Sequence, residues 1–177
     1  YKKTNTGQSV EGWHITVYSD EACTQKVGTL ITNADGKAGY YLDPGTYWAK
    51  ETGDEHGRFE DEYWMVDETI HKFEIKPHED VSITFTNVQY GRLKITKTVE
   101  GGGSVEGWQF KITDAEGKVL DGSPFATDED GIILTGNLLP GQYTVEELLL
   151  ENSLYACKGD NPQTVTTVSY THLTLPT

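Results

Sequence analysis

An internal repeat constrains this chain more than any other feature of its sequence. The segment SVEGW at residues 9–13 recurs at residues 104–108, an offset of 95 residues (104 − 9 = 95). The DG pair at residues 35–36 recurs at the same offset. A PG pair followed by the pattern x-Y-x-x-x-E recurs at an offset of 96, so one residue is inserted between these two motifs. The repeat predicts two copies of one structural unit, at residues 1–90 and 91–177.

Each unit has the pattern of β-strands. The segments VSITFTN at residues 81–87 and RLKITKT at residues 92–98 alternate apolar and polar residues with period two, which is typical of half-buried strands. The DG and PG pairs supply turns between strands. No segment has a convincing helical pattern. The sequence therefore predicts an all-β fold, with two tandem antiparallel β-sandwich domains.

Three polar side chains interrupt the apolar faces of these strands. Asn87 lies in phase with the apolar residues of 81–87, Lys97 lies in phase with those of 92–98, and a glutamate follows the PG motif in phase with apolar residues. A desolvated lysine tends to be neutral and nucleophilic, and a buried glutamate tends to be protonated. Such a glutamate can donate to the amide oxygen and shuttle protons, while the amine attacks the carboxamide carbon and expels ammonia. The periodicity equally permits a second interpretation, in which these are ordinary strand-end residues near solvent.

The ordered set of motifs resembles the SpaA-type and Cna B-type repeats of Gram-positive bacterial surface proteins and pilins. The set includes a KT opening, the GW strand, the DG and PG turns and the TFTN ending at residues 84–87, and it covers nearly the whole chain. The resemblance implies a prealbumin-like, Ig-like β-sandwich with an intramolecular Lys–Asn isopeptide bond. It further implies that Asn87 is the acceptor and Glu51 the assisting acid, with Lys97 and Glu147 as the equivalents in the second unit.

The nucleophile of the first unit has two candidates. Gap-free spacing to the tryptophan aligns Lys97 with Lys2 (97 − 95 = 2), whereas the KT dipeptide favours Lys3. Neighbouring strand residues face opposite sides, so only one of the two can be buried. We take Lys2 as the nucleophile, and expect that the strand leading to it begins before Tyr1 and is partly missing.

The last ten residues depart from the repeat. Residues 168–177, VSYTHLTLPT, match the translation of a common transposase sequencing adapter residue for residue. We therefore expect native sequence to about residue 167, and a second unit without its own last strand or acceptor asparagine. If the adapter-derived segment pairs as a strand, it is expected to place His172 or a neighbour at the acceptor position.

Composition limits the classes of partner. The chain carries 28 acidic and 14 basic residues, a net charge of −14, which disfavours nucleic acid and anionic membrane surfaces. No apolar run approaches the ~20 residues of a membrane helix. Cys23 and Cys157 lie in different units and cannot form a disulfide within a unit. No spacing typical of a metal or cofactor site is present, so we expect neither.

The resemblance implies a structural stalk or spacer segment of a cell-surface adhesin or pilin. Such a segment would be extracellular, wall-anchored through a parent protein and in contact with neighbouring repeats. No motif supports an enzyme acting on an external substrate. The alternative is an adhesive module that contacts host matrix protein or glycan through exposed aromatic residues, for which the candidates are Tyr40, Tyr41, Trp48, Tyr63 and Trp64.

Overall fold

Turn residues and alternating apolar residues divide the chain into short strands that group into two units, residues 1–89 and 90–177. The computed structural model describes residues 1–149, 154–167 and the backbone of 171–176. The described residues contain strands and turns but no α-helix, which confirms the predicted all-β class.

The first unit consists of two sheets. Antiparallel strands in the order β3-β2-β4-β6 form the larger sheet. The smaller sheet has the order β1-β7-β5, in which β1 runs parallel to β7 and β5 runs antiparallel to it. The strands are β1 (Lys2–Thr4), β2 (Trp13–Tyr18), β3 (Lys26–Ile31), β4 (Gly45–Asp54), β5 (Trp64–Met65), β6 (His71–Ile75) and β7 (Phe85–Gln89).

The core of the first unit lies between these sheets. Ile15 and Val17 of β2 and Ala49 of β4 pack in one cluster with Phe85 of β7. The cluster includes side chains from both sheets, so each sheet buries one face against the other. The opposite phase of β2 carries His14 and Tyr18, which are only partly buried.

The second unit repeats the larger sheet and the parallel pairing of first and last strands, but its first strand is central in the smaller sheet, whereas β1 is at the edge. Its larger sheet has the order β10-β9-β12-β13, and its smaller sheet has the order β11-β8-β14, with β14 parallel to β8. Leu93 and Ile95 of the smaller sheet share a core with Phe110, Ile112 and Val145 of the larger. The strands are β8 (Leu93–Thr98), β9 (Gln109–Asp114), β10 (Phe125–Ala126), β11 (Ile132–Leu134), β12 (Gly141–Leu148), β13 (Gln163–Thr167) and β14 (Thr171–Pro176).

The strand predicted at residues 81–87 has the predicted phase but different bounds. Phe85 and Asn87 are buried, whereas Val81 is exposed and β7 begins at Phe85. At the start of β7, the segment pairs with Tyr1, whose backbone N donates to the Ile83 oxygen and whose carbonyl accepts the Phe85 N–H. The strand is therefore shorter at its start than its alternating pattern suggests.

Candidate functional site: a buried lysine, glutamate and asparagine

The first strand carries one lysine inward and one outward. Lys2 is buried, with 3% of its surface exposed, and Lys3 is exposed. The DG turn clamps this strand, because the Lys2 N–H donates to the Gly36 carbonyl at 2.7 Å. Gly36 has a φ of 68°, and a Cβ at this position would lie 2.5 Å from the Lys2 carbonyl oxygen. The glycine of the repeated DG pair is therefore required for close approach as well as for the turn.

The tryptophan of the SVEGW motif covers the amine. Lys2 Nζ lies 4.3 Å from the centroid of a Trp13 ring. Trp13 is held through both its side chain and its backbone. The indole Nε1 donates to the Ser9 carbonyl at 2.8 Å, and the backbone N–H donates to Thr32 Oγ1 at 3.0 Å. The Thr32 hydroxyl in turn donates to the Val10 carbonyl at 2.6 Å. The motif is thus a scaffold that holds an aromatic ring over the lysine.

The side chains of Lys2 and Glu51 are in direct contact in the core. Lys2 Nζ lies 2.6 Å from Glu51 Oε1, and both side chains are fully buried. Burial lowers the pKa of Lys2, and the hydrogen bond and charge of Glu51 only partly oppose this effect. Burial raises the pKa of Glu51, and the hydrogen bond from Lys2 only partly opposes that effect. Both directions favour the neutral amine and the protonated carboxyl over their charged forms.

The carboxamide of Asn87 lies beside this pair. Asn87 is completely buried, and its Oδ1 accepts the backbone N–H of Asp67 at 2.7 Å. The sequence predicts that the glutamate donates to this oxygen. Instead, Glu51 Oε2 and Asn87 Nδ2 make no hydrogen bond of normal geometry within the described part of the chain. The carboxamide is nevertheless close enough to Glu51 to help lower the pKa of its carboxyl against the larger, opposing effect of burial.

The structure thus gathers the three predicted side chains of the first unit from three strands. Lys2 comes from β1, Glu51 from β4 and Asn87 from β7, so the larger and smaller sheets both contribute. Side chains of these three types can serve as a nucleophile, a proton carrier and an acyl acceptor. An unpaired polar atom in a protein interior costs free energy, so the unpaired Oε2 and Nδ2 call for an explanation, and a role in a reaction is one.

The second unit repeats the lysine and glutamate. Lys97 is buried on β8, and its Nζ lies 2.8 Å from Glu147 Oε1 of β12 and 4.1 Å from the centroid of a Trp108 ring. Its backbone N–H donates to the Gly131 carbonyl at 2.7 Å, as the N–H of Lys2 does to Gly36. Both units therefore share the hydrogen bond from the lysine N–H to the glycine of the DG pair and the tryptophan ring over the lysine amine.

Threonine is a further member of the repeat that sequence reasoning missed. Thr127 accepts the Trp108 N–H at 3.0 Å and donates to the Val105 carbonyl at 2.6 Å. Thr32 makes the equivalent bonds in the first unit, at an offset of 95 residues (127 − 32 = 95). The offset was available in the sequence, but a lone threonine between motifs gave no reason to single it out.

A thiol was also missed beside the second glutamate. Burial raises the pKa of the Cys157 thiol, and the charge of Glu147 and a hydrogen bond to it raise the pKa further. Cys23 lies at a turn in the first unit, where its thiol donates to the Glu21 carbonyl at 3.8 Å. Both cysteines are free.

The acceptor position of the second unit does not fall at His172. Strand β14 places Leu175 opposite Lys97, as β7 places Phe85 opposite Lys2. Asn87 follows Phe85 by two residues, so its counterpart by register is position 177. Position 177 is a threonine and, like residues 168–170, it lies outside the described residues. The prediction for His172 is therefore wrong by five residues (177 − 172 = 5), because the strand pairs further along than its alternation suggested.

Asn161 supplies no alternative acceptor. Its side chain accepts the Glu147 N–H at 2.8 Å and donates to the Glu147 carbonyl at 2.9 Å. Both ends of the carboxamide are thus bonded to backbone. The residue supports the glutamate strand and is not directed at the lysine.

The aromatic residues proposed as an adhesive patch differ in how far they are exposed. Trp64 is buried and packs edge-to-face on Trp13, with ring centroids 5.8 Å apart. Trp48 is half-buried beside Lys72, whereas Tyr41 is fully exposed. Trp64 is therefore a core residue, and its inclusion in a surface patch was wrong.

The described residues include no helix with the length and apolarity of a membrane span. Within the same residues, no group of three or more His, Cys, Asp or Glu side chains is arranged to hold a metal ion.

Comparisons with known proteins identify the repeat. The family model of the SpaA prealbumin-like fold domain matches twice, at residues 1–89 and 91–168. No curated protein matches the chain.

Solved structures resemble it at low identity. The Bacillus anthracis TIE protein is 22% identical with a TM-score of 0.45 over 99% of this chain and 32% of its own. A streptococcal ancillary pilin is 18% identical with a TM-score of 0.38 over 99% and 60%. The minor pilin GBS52 of Streptococcus agalactiae is 17% identical with a TM-score of 0.39 over 97% and 83%. The chain thus spans about a third of the first of these proteins and 60% of the second.

Proposed function

The chain belongs to the family of SpaA prealbumin-like fold domains, and from this premise we propose that it is a structural segment of a bacterial surface protein whose first unit cross-links itself. The bond would join Lys2 to Asn87 with the help of Glu51. The observation that carries the proposal is the burial of all three side chains in one cluster, with the lysine on the carboxyl and two polar atoms left unpaired.

The proposed reaction is an amide exchange. Neutral Lys2 Nζ attacks Asn87 Cγ, a new C–N bond forms, and the C–Nδ2 bond breaks to release ammonia. The amine loses one proton and the leaving nitrogen gains one, so the balance needs only a carrier between them. Glu51 fits this role, because Oε1 already holds the Lys2 amine and Oε2 is free to serve Nδ2. The reaction occurs once in each chain and leaves the carboxyl regenerated.

The cross-link would stabilise the unit through its unfolded state. It closes a loop of about 85 residues (87 − 2 = 85). By analogy with disulfides, such a closure contributes about 4–5 kcal/mol to the free energy of unfolding. Unlike a disulfide, the bond would resist reducing agents.

Intact mass spectrometry tests the cross-link directly. The full chain is expected to be lighter than its sequence mass by one ammonia, with the missing mass located by digestion between the peptides that carry Lys2 and Asn87. Glu51→Ala is expected to restore the full mass, as is Lys2→Ala, whereas the matched control Lys3→Ala should still lose ammonia. A wild-type chain of full mass would contradict the proposal.

The second unit of this sequence is expected to form no cross-link. Lys97 and Glu147 are in place, but position 177 offers no carboxamide. A chain that loses two ammonias would contradict this reading of the second unit.

At the level of the whole protein, we propose a stalk or spacer role outside the cell. Neighbouring repeats of the same surface protein are its expected partners, and attachment to the cell wall would come through the parent protein. Covalent closure suits a segment that bears tension, because the load then passes through a bond rather than through the core. Single-molecule pulling, described below, tests this role separately from the mass measurement.

A further inference from the structure

The Asn87 carboxamide oxygen is held by a group that the sequence did not single out. In the loop between β5 and β6, the backbone N–H of Asp67 donates to Oδ1 at 2.7 Å. A backbone N–H can only donate, so the carboxamide atom that faces it is the oxygen. This contact fixes the orientation of the amide and leaves Nδ2 as the buried atom without a partner.

Asp67 is itself fastened to the strand that carries Asn87. Its Oδ2 accepts the N–H of Thr86, the residue before Asn87, at 3.0 Å, and its Oδ1 accepts the N–H of Thr69 at 3.1 Å. Burial alone would raise the pKa of Asp67, but the hydrogen bonds from Thr69 and Thr86 outweigh burial and lower the pKa. The carboxylate thus ties its own backbone N–H to one place relative to the carboxamide.

We propose that the Asp67 N–H is the oxyanion donor of the cross-linking reaction, and that the Asp67 carboxylate positions it. This inference rests on the proposed bond between Lys2 and Asn87. When the amine attacks Cγ, the electron pair of the C=O double bond moves onto Oδ1. A donor that is already in place stabilises this charge, because its hydrogen bond strengthens as the acceptor becomes an anion. When the electron pair returns to restore the C=O bond, the C–Nδ2 bond breaks and ammonia leaves with the proton carried by Glu51.

The Asp67 N–H and the Glu51 carboxyl would act on different atoms of the carboxamide. Lys2 approaches from the side of Glu51 Oε1, while the Asp67 N–H holds the carbonyl oxygen. A glutamate that donated to this oxygen would not be available to the leaving nitrogen. With the oxygen already bonded, Glu51 is free to carry the proton from the amine to Nδ2.

An amide-to-ester exchange at position 67 removes this donor and keeps the side chain. The full chain is made by cell-free translation with the α-hydroxy analogue of aspartate at position 67. Samples are quenched in acid at intervals, and ammonia loss is followed by intact mass. The matched control carries the ester at Glu68, whose N–H is not bonded to Asn87. Loss of one oxyanion donor slows catalysis about 10²–10³-fold, so we expect that slowing at position 67 and near-normal rates at 68.

The pH profile separates a donor from a general structural effect. Loss of the N–H should lower the rate by the same factor at each pH, because no titrating group has changed. Equal rates for the two esters, or a rate loss that disappears at one end of the pH range, would overturn the inference while leaving the cross-link intact. A wild-type chain that never loses ammonia would contradict both.

The carboxylate is tested by a second pair of variants, which does not depend on the ester chain folding. Asp67→Asn keeps an oxygen that can accept the Thr86 N–H, and Asp67→Ala does not, while both remove the charge. We expect Asp67→Ala to cross-link more slowly than Asp67→Asn, because a displacement of about 1 Å can cost about 10²-fold in rate. Equal rates for these two variants would contradict the positioning role.

Discussion

The two buried lysines allow the contribution of the cross-link to the free energy of unfolding to be measured by comparing equivalent variants of the two units. Lys2 and Lys97 are 3% and 1% exposed, and their amines lie 2.6 and 2.8 Å from Glu51 and Glu147. Both also lie over a tryptophan, at 4.3 and 4.1 Å. Replacement by methionine removes the amine in each unit and changes the packing to nearly the same extent in both. Only the first unit should in addition lose a covalent bond.

The expected difference follows from the loop that the bond closes. Lys2→Met should lower the free energy of unfolding of its unit by about 4–5 kcal/mol more than Lys97→Met lowers that of its own. For a domain of this size, that difference corresponds to roughly 20–35 °C in melting temperature. Each variant also leaves a buried glutamate without its lysine, so a cost of this kind falls on both sides of the comparison.

The measurement needs a separate signal from each unit. Thermal unfolding of the full chain can be sampled by brief proteolysis at each temperature, with the surviving peptides of each unit quantified by mass spectrometry. Intact mass establishes which chains carry the bond. If Lys2→Met and Lys97→Met lower the melting temperatures of their own units equally, the cross-link contributes nothing and the reasoning fails.

Four further outcomes are expected. Gly36→Ala should destabilise the first unit by about 1–3 kcal/mol more than Gly7→Ala in urea unfolding, because both positions have positive φ but only the first would bring a Cβ against backbone; equal costs would refute the clamp. The rate of ammonia loss should be bell-shaped in pH, since a raised pKa keeps Glu51 protonated only up to that pKa and a lowered pKa keeps the amine neutral only above it; a rate that only rises with pH would exclude the carboxyl as proton carrier. Replacement of residues 171–177 by the sequence of 81–87 puts a phenylalanine at position 175, opposite Lys97 as Phe85 is opposite Lys2, and an asparagine at position 177. This exchange should cause loss of a second ammonia, and the same exchange ending in alanine should not. Under force, the first unit should not lengthen by the roughly 290 Å of its enclosed 85 residues, and a full-length extension at ordinary unfolding forces would refute a covalent stalk.

The parts of the fold and site that could be predicted from the sequence are those with a period or an offset. Two-residue alternation placed Asn87, Lys97 and Glu51 on inward faces, and all three are buried. The offset of 95 residues pointed to Lys2 rather than Lys3, and Lys2 is the buried one of the two. The all-β class and the two family repeats are confirmed as predicted.

What escaped prediction depends on contacts between segments with no common pattern. The Asp67 N–H is a backbone group in a loop, and no side-chain motif marks a backbone donor. Trp64 is one of the candidates for an exposed patch, yet it packs on Trp13, and a two-residue strand has no measurable alternation from which its face could be predicted. The register of β14 could not be fixed either, since alternation gives the face of a strand but not its position along a partner.

The parallel pairing of β1 with β7 has a consequence for how force would cross the unit. Parallel neighbours send the two chain ends in opposite directions, so tension slides the strands past each other instead of peeling them apart. Lys2 lies opposite Phe85, and Asn87 is two residues further along β7. A bond from Lys2 to Asn87 is therefore a diagonal brace, which advances about 7 Å along the strands while crossing about 5 Å between them. The diagonal leans in the direction of sliding, so it would have little slack to take up before the brace carried the load.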